Sequence, residues 1–488
     1  MSIQGERSAP FWSIIIAVFF GNFMATLSTT SINVALPVFM NDFHAELNTV
    51  QWMMSGFMLA TGVIAPIIGF MGDKLSYKRL YVFALLGFTL TSALCTFAWS
   101  MESLIAFRIM QGLCSGVIMP TTMTIIYQFI QKDKQTIGIG LWSVSSMLAP
   151  AFGPTLGGWL TEYFGWKSLF IMNLPIGLIA ILMAMKFIPY QKIGGAVKLD
   201  VVGFIAVILG TSSLLLTFSQ GHNWGWTSWK TITLLVAGIA IVAYFIVRTL
   251  RVHAPLLNLR VFKIPRFTFS LIINCIITIS LYAATFLVPI YMQNIQHANT
   301  LHTGLVMLPG TVLLAILSFI VGKIYDWVGP FRLILIGVLI MGIATWELSR
   351  LSLASTTLFI TLWLAIRYIG IALCNMPVTN AAMAAVPSKF AGHASAVTNW
   401  IRQGTAALSV SIFSSILSSR TLTHLRQDGG AGTKHASELA LSQSVQDVFI
   451  VGTALVVVSI PFLFLLRKKH HPVSEELLVP RAAESASI

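Results

Sequence analysis

The sequence predicts an all-α polytopic membrane protein of fourteen transmembrane helices, arranged as two six-helix bundles with two helices inserted between them. Three observations carry that prediction. The 488 residues are 56% hydrophobic and only 9% charged, with a mean hydropathy of +0.83, where a soluble domain carries about 25% charged residues. The apolar residues fall into fourteen runs, most of them long enough, at about 1.5 Å per helical residue, to cross a hydrocarbon core of about 30 Å. Finally, the runs before the central pair echo those after it.

The polar head, residues 1–10, leads into a first run, 12–36, without a small-residue cleavage site, so this run is expected to stay as a span. A second run, 49–70, ends in a basic turn. The third, 80–98, and the fourth, 104–127, are parted by a short polar stretch, and the fourth carries Arg108 and Pro120 at bilayer depth. In the fifth, 137–160, Gly140, Gly153, Pro154, Gly157 and Gly158 stand where a soluble helix resists such residues. In water an interior Gly costs about 1 kcal/mol and Pro about 3 relative to Ala. In hydrocarbon a Pro turn survives where neighbouring helices satisfy its backbone, and small residues let helix backbones approach closely. The fifth run therefore predicts a bent, tightly packed seam between two moving halves. The sixth, 168–187, completes the first set.

Longer basic links at 187–200 and 248–266 isolate the seventh and eighth runs, 201–218 and 231–247, as an inserted pair. Six more runs follow at 267–292, 303–321, 333–348, 357–384, 394–417 and 448–466. The loop 419–446 is the longest on its side; its Gly429-Gly430-Ala431-Gly432 run predicts flexibility, and it is the candidate contact for a periplasmic adaptor protein. The chain thus divides into a first six-helix bundle (1–190), an inserted pair with basic linkers (191–265), a second bundle (266–470) and a polar cytoplasmic tail (471–488).

An even number of spans puts both termini on one side. With that side cytoplasmic, the inner segments hold 21 Lys and Arg against 6 in the outer ones, with Arg108, Arg367 and Arg402 inside the membrane. This positive-inside asymmetry predicts cytoplasmic termini in a bacterial inner membrane. The net charge of +14 is therefore a topology signal and not the footprint of a nucleic-acid binder. Cys95, Cys114, Cys275 and Cys374 all lie in apolar runs and read as free packing residues. No H-E-x-x-H, G-x-S-x-G or P-loop pattern occurs, which argues against an enzyme, and neither a metal nor an organic cofactor is implied.

The internal echo is specific in one place. Gly69-Phe-Met-Gly-Asp73-Lys74-Leu-Ser76-Tyr-Lys78-Arg79 follows the second run, and Gly322-Lys-Ile-Tyr-Asp326-Trp-Val-Gly329-Pro-Phe-Arg332 follows the tenth, 253 residues later. More loosely, Arg108 with Met119-Pro120 in the fourth run is matched by Arg367 with Met376-Pro377 in the twelfth. Repeated six-span units are the mark of a transporter that rocks two halves about a midplane site. With Leu27–Pro37 (LSTTSINVALP), Arg108-x-x-Gln111-Gly112, the glycine-rich fifth run and Asn399-x-x-Arg402-Gln403, the chain resembles the major facilitator superfamily, and within it the fourteen-span drug/proton antiporter family. The resemblance implies the major facilitator fold and export of small amphipathic drugs or toxic compounds, driven by the proton gradient through alternating access. A dedicated exporter of one endogenous metabolite, lipid or siderophore is the alternative, and the resemblance leaves the oligomeric state open. Four departures stand out: Ser28 where many relatives have Asp, Ser76 in place of a turn glycine, Ala149 in the antiporter motif, and Thr405 after Gly404.

Ionisable groups at bilayer depth are costly and functional by default, so Arg108, with Gln111 on the same helical face, and Arg367 are candidates for proton relay or for holding an anionic group, with a structural arginine bonded to exposed carbonyls as the competing reading. Arg402 is expected in an interhelical packing role, because the resemblance places the thirteenth span away from the cavity centre. Among the acids only Glu347 falls appreciably within a run, which makes it the leading proton carrier, with an ion pair to Arg350 as the competing reading. Asp73, Lys78, Arg79, Asp326 and Arg332 are expected to form a cytoplasmic latch, closed in one transport state and open in the other. With few buried carboxylates and two arginines, the sequence suits neutral or anionic amphipaths better than cations.

Overall fold

In a computed structural model of the protein, which describes residues 11–64, 67–191, 200–252, 259–387, 391–427 and 434–467, each of the fourteen apolar runs lies in helix. The first span is α1 (Phe11–Thr30), a 3-10 segment (Ser31–Ala35) and α2 (Leu36–Asp42). The second is α3 (Leu47–Val50), α4 (Trp52–Ile64) and α5 (Ile68–Leu75). Then come α6 (Tyr77–Thr96), α7 (Met101–Phe129), α8 (Lys132–Phe164), α9 (Ser168–Ile171) and α10 (Asn173–Phe187). The inserted pair is α11 (Val201–Trp224) and α12 (Trp229–Arg251). The last six spans are α13 (Pro265–Asn294), α14 (Thr300–Val328), α15 (Pro330–Leu348), α16 (Thr357–Ala384), α17 (Ala391–Gln427) and α18 (Lys434–Arg467).

Local chemistry sets the boundaries. The side chains of Ser100, Asp200, Ser228, Asn299 and Thr356 accept backbone N–H groups at the starts of α7, α11, α12, α14 and α16, satisfying donors that a helix leaves free. Gly165, Gly225 and Gly329 follow α8, α11 and α14 with φ of 75°, 84° and 84°, a region that glycine enters without steric cost. Ser76 caps α6 with φ 79° and ψ 145°, and Gly329 holds the matching place before α15 with φ 84° and ψ 151°. The two turns of the sequence repeat are thus one backbone shape.

Span length and apolarity do not rank the helices alike. Among the described residues eleven helical segments are long and apolar enough to cross a membrane; α8 and α17, at 33 and 37 residues, are not among them. Both are the helices that join the halves. α8 packs along α14, and α17 along α4. Polar and small side chains that would be poor neighbours for lipid are good neighbours for another helix.

Among the described residues, the buried apolar ones form three clusters, the largest of which runs on through the second half to Ile334, Val378 and Leu463. Toward the end carrying the 43–46 and 295–299 turns, one cluster spans both halves, with Ile32, Phe39 and Met53 of the first and Phe286, Tyr291 and Val306 of the second. A separate cluster around Ile14, Tyr81, Val117 and Ile126 belongs to the first half alone. The inserted pair shares its core with the second half: Val207 and Phe245 pack with Leu271, Ala382 and Val397, and the Phe245 ring meets Trp400 at 5.8 Å. Asp200 ties α11 to α12 through Arg248 at 2.9 Å.

The stretch expected as a long flexible loop, 419–446, is mostly helix. α17 runs to Gln427 and α18 starts at Lys434, with Arg420 and His424 of one bonded to Asp447 of the other at 2.6 and 2.8 Å. Polar residues end a hydrophobic run without ending a helix, so hydropathy marks where the membrane stops and not where the hydrogen-bond ladder stops. The Gly429-Gly430-Ala431-Gly432 run lies outside the described residues.

Candidate functional site

Two buried arginines occupy matching places. Arg108 on α7 is 1% exposed; its Nη1 donates to Ser28 on α1 (3.3 Å) and to Gln111 (2.5 Å), and its Nε to the Met53 carbonyl on α4 (3.4 Å). Gln111 in turn donates to Ser92 on α6 at 2.5 Å, and the guanidinium lies 4.0 Å from the Phe57 ring centre. Arg367 on α16 is 0% exposed; its Nε donates to Thr345 on α15 (3.1 Å), and its Nη2 to the Ser280 hydroxyl on α13 (2.8 Å) and the Ser280 carbonyl. Each arginine sits on the fourth span of its half and binds hydroxyl-bearing residues of that half's first and third spans, Arg108 reaching the third through Gln111. The expected pairing of Arg108 with Gln111 is therefore present. Yet every one of these partners lies within the same half, so the guanidinium groups tie bundles together and do not open onto the interface. One donor, Arg367 Nη1, is buried without a hydrogen-bond partner among the described residues.

The interface itself has two seams. In the first, α8 runs between α1 and α14. A Cβ at Gly153 would overlap the Thr30 hydroxyl, one at Gly157 the Ser31 carbonyl, and one at Gly158 the Thr300 carbonyl, while Gly304 of α14 admits the Pro154 carbonyl. Thr30 donates to the Ala149 carbonyl (3.2 Å), Thr155 to the Gly304 carbonyl (3.1 Å) and Thr300 to the Gly158 carbonyl (3.2 Å). The seam expected from Gly153, Pro154, Gly157 and Gly158 is thus a three-helix contact; the surroundings of Gly140 lie outside the described residues. Glu162, at the end of α8, crosses to the other half, its Oε2 accepting the Thr300 N–H (3.1 Å) and hydroxyl (2.8 Å) at the start of α14.

In the second seam, Ser411 of α17 donates to Gln51 (3.2 Å), and Ser414 and Ser418 donate to Asn48 (2.8 and 3.4 Å). Gln293 closes the corner by donating to the Val34 carbonyl at 2.6 Å. These bonds gather at the same end as the shared core. The seam reaches down to Gly62, whose Cβ would meet that of Gln403. The thirteenth span is therefore an interface helix, packed along α4 of the other half. Arg402 on it is half-buried and donates to Asn399 at 3.3 Å.

The remaining predicted residues are scattered. Glu347 lies at the end of α15 and pairs with Arg350 at 3.5 Å, not with Arg367. Lys78 donates to the Met185 carbonyl (2.7 Å) and the Arg79 guanidinium stands 4.8 Å from the Tyr190 ring centre, so both reach the end of the sixth span. Arg332 is exposed, and the side chains of Asp73 and Asp326, and with them the latch, lie outside the described residues. Asn48, Gln51 and Glu162 escaped the sequence reading. Their one signal was polar residues at helical spacing, Asn48-x-x-Gln51 and Ser411-x-x-Ser414, on spans otherwise apolar.

Comparison with known proteins bears on what such an assembly does. The family described as the Major Facilitator Superfamily matches residues 18–410. YhcA, an MFS-type transporter of Bacillus subtilis, is 35% identical over 85% of this chain and 78% of its own. The lincomycin resistance protein LmrB of Listeria monocytogenes is 27% identical over 95% of this chain and 98% of its own. A bacterial homologue of the human lysosomal transporter Spinster, solved in an inward-facing, unoccupied conformation, shares the fold with a TM-score of 0.66 at 15% identity over 95% and 98% of the two chains.

Proposed function

The chain belongs to the major facilitator superfamily as a multi-pass membrane transporter of small substrates, and from that premise we propose that it exports amphipathic drugs or toxic compounds across the bacterial cytoplasmic membrane, in exchange for protons, by alternating access. One observation carries the reading: among the described residues, the hydrogen bonds that join the halves gather in two polar, small-residue seams toward the end carrying the 43–46 and 295–299 turns. The excess of Lys and Arg on the opposite side makes the joined end the exterior, so this state is shut to the outside, with both termini cytoplasmic. Hydrogen bonds such as those of the seams contribute about 1 kcal/mol each, a scale at which a ligand can shift the balance between two packings. Drug export draws its support from the resistance named for LmrB.

Protons drive the cycle only at a group whose environment differs between the two states. Glu347 pairs with Arg350, two residues past the end of its own helix, an arrangement that rocking leaves untouched. Glu162 bridges the halves, so opening the exterior removes its Thr300 partners. We assign the coupling contact to Glu162, whose partners lie across the interface. On the elements around it the titratable groups are Tyr163 on α8, Lys167 ahead of α9, His297 ahead of α14 and His302 within it. The test is efflux from proteoliposomes under an imposed pH gradient, with cationic, neutral and anionic dyes. Gradient-dependent efflux is expected; dye movement that ignores the gradient ends the antiport reading.

A further inference from the structure

Three arginines lie within the spans, and the structure separates them. Arg108 and Arg367 are sealed inside their own halves by hydroxyls and carbonyls. Arg402 is half-buried, donates to one amide oxygen, Asn399 Oδ1 at 3.3 Å, and has no carboxylate paired with it among the described residues. Thr405, one turn further along α17, approaches Cys275 of α13 at 3.5 Å, and Gln403 touches Gly62 of the other half. Arg402 therefore lies on α17 beside residues that meet α4 and α13, at the limit of the second seam.

That position is the level at which a transporter of this construction alternates exposure. A guanidinium inside a membrane bundle calls for compensation, and its planar fork matches a carboxylate in two parallel hydrogen bonds. We propose that Arg402, with Asn399, forms the substrate subsite that receives an anionic group, so that the exported compounds are amphipaths carrying a carboxylate. The subsite rests on the export reading for its role but can be tested apart from it.

The probe is a pair of fluorescent dyes identical except that one bears a free carboxylate and the other its methyl ester. Binding to the purified full-length protein is read by anisotropy, and efflux is read in proteoliposomes. Wild type is expected to bind the carboxylate at least about tenfold more tightly than the ester, the scale of one charge-assisted contact. Arg402→Gln brings that ratio to about one. Arg402→Lys, which keeps the charge and loses the fork, leaves a preference of about threefold. A wild-type protein without preference for the carboxylate overturns the subsite and needs no variant to do so; an unchanged ratio in Arg402→Gln overturns it as well. Carboxylate binding without efflux sustains the subsite and overturns export, whereas efflux of both dyes without preference does the reverse.

Discussion

Arg108 and Arg367 show how a residue type that signals function in a membrane can serve architecture. Each guanidinium collects hydroxyls and carbonyls from spans that would otherwise bury those groups in hydrocarbon. Replacing Arg108 or Arg367 by Ala strands several buried acceptors and is expected to lower the stability of the solubilised protein by about 2–4 kcal/mol, at about 1–3 kcal/mol per stranded group. Lys should not rescue either site, since it lacks the fork. Thermal unfolding with a fluorescent thiol probe reads this; a variant that melts like wild type but has lost transport would return these arginines to the transport path. Ser76 offers a change of opposite sign. It holds φ 79°, a conformation costing about 1–3 kcal/mol for a residue with a Cβ, and its repeat mate is Gly329. Ser76→Gly loses a cap worth a few tenths of a kcal/mol and should gain about 1 kcal/mol net in the same melt.

The helices that decide the architecture are the least hydrophobic long ones. α8 is held against α1 by Gly153 and Gly157 and against α14 by Gly158, two close approaches offset around one helix. A side chain at Gly158 cannot be accommodated by rotamer change, because the Thr300 backbone fills the place of its Cβ. Gly158→Leu should therefore wedge the exterior seam open while Gly153 and Gly157 keep α8 on its own half. An introduced thiol at Thr303, buried on α14 beside this contact, should gain at least about tenfold in modification by an impermeant reagent added outside. Unchanged reactivity would show that the seam does not govern access. The extension of α17 and α18 past the apolar runs belongs to this scale too: Arg420, His424 and Asp447 keep the helices together where hydropathy predicts a loop.

In the proposed cycle, opening the end that carries the seams would break both of them and split the shared core, while the inserted pair, packed through Phe245 and Trp400, would keep its contacts with the second half. Glu162 enters this balance because its partners belong to the other half. Glu162→Gln, with an amide in place of the carboxylate, should cut the dependence of efflux on an imposed pH gradient by at least about fivefold, whereas Glu347→Gln keeps it. The opposite result would restore Glu347 as the proton carrier. Much of this plan was legible in the sequence. Span length, capping residues and the Lys and Arg asymmetry are local quantities, and the turns at Asp73 and Asp326 repeat well enough to reveal the six-span units. By itself, then, the chain determined the helices and the seam at Gly153–Gly158, because burial in lipid constrains every residue of a span. Which polar groups face a neighbour in the same bundle, the opposite bundle or the space between depends on how helices turn about their axes when packed. Only the tertiary structure decided that Arg108 and Arg367 bond within their own halves, that Glu162 bridges the halves and that Arg402 lies beside the second seam.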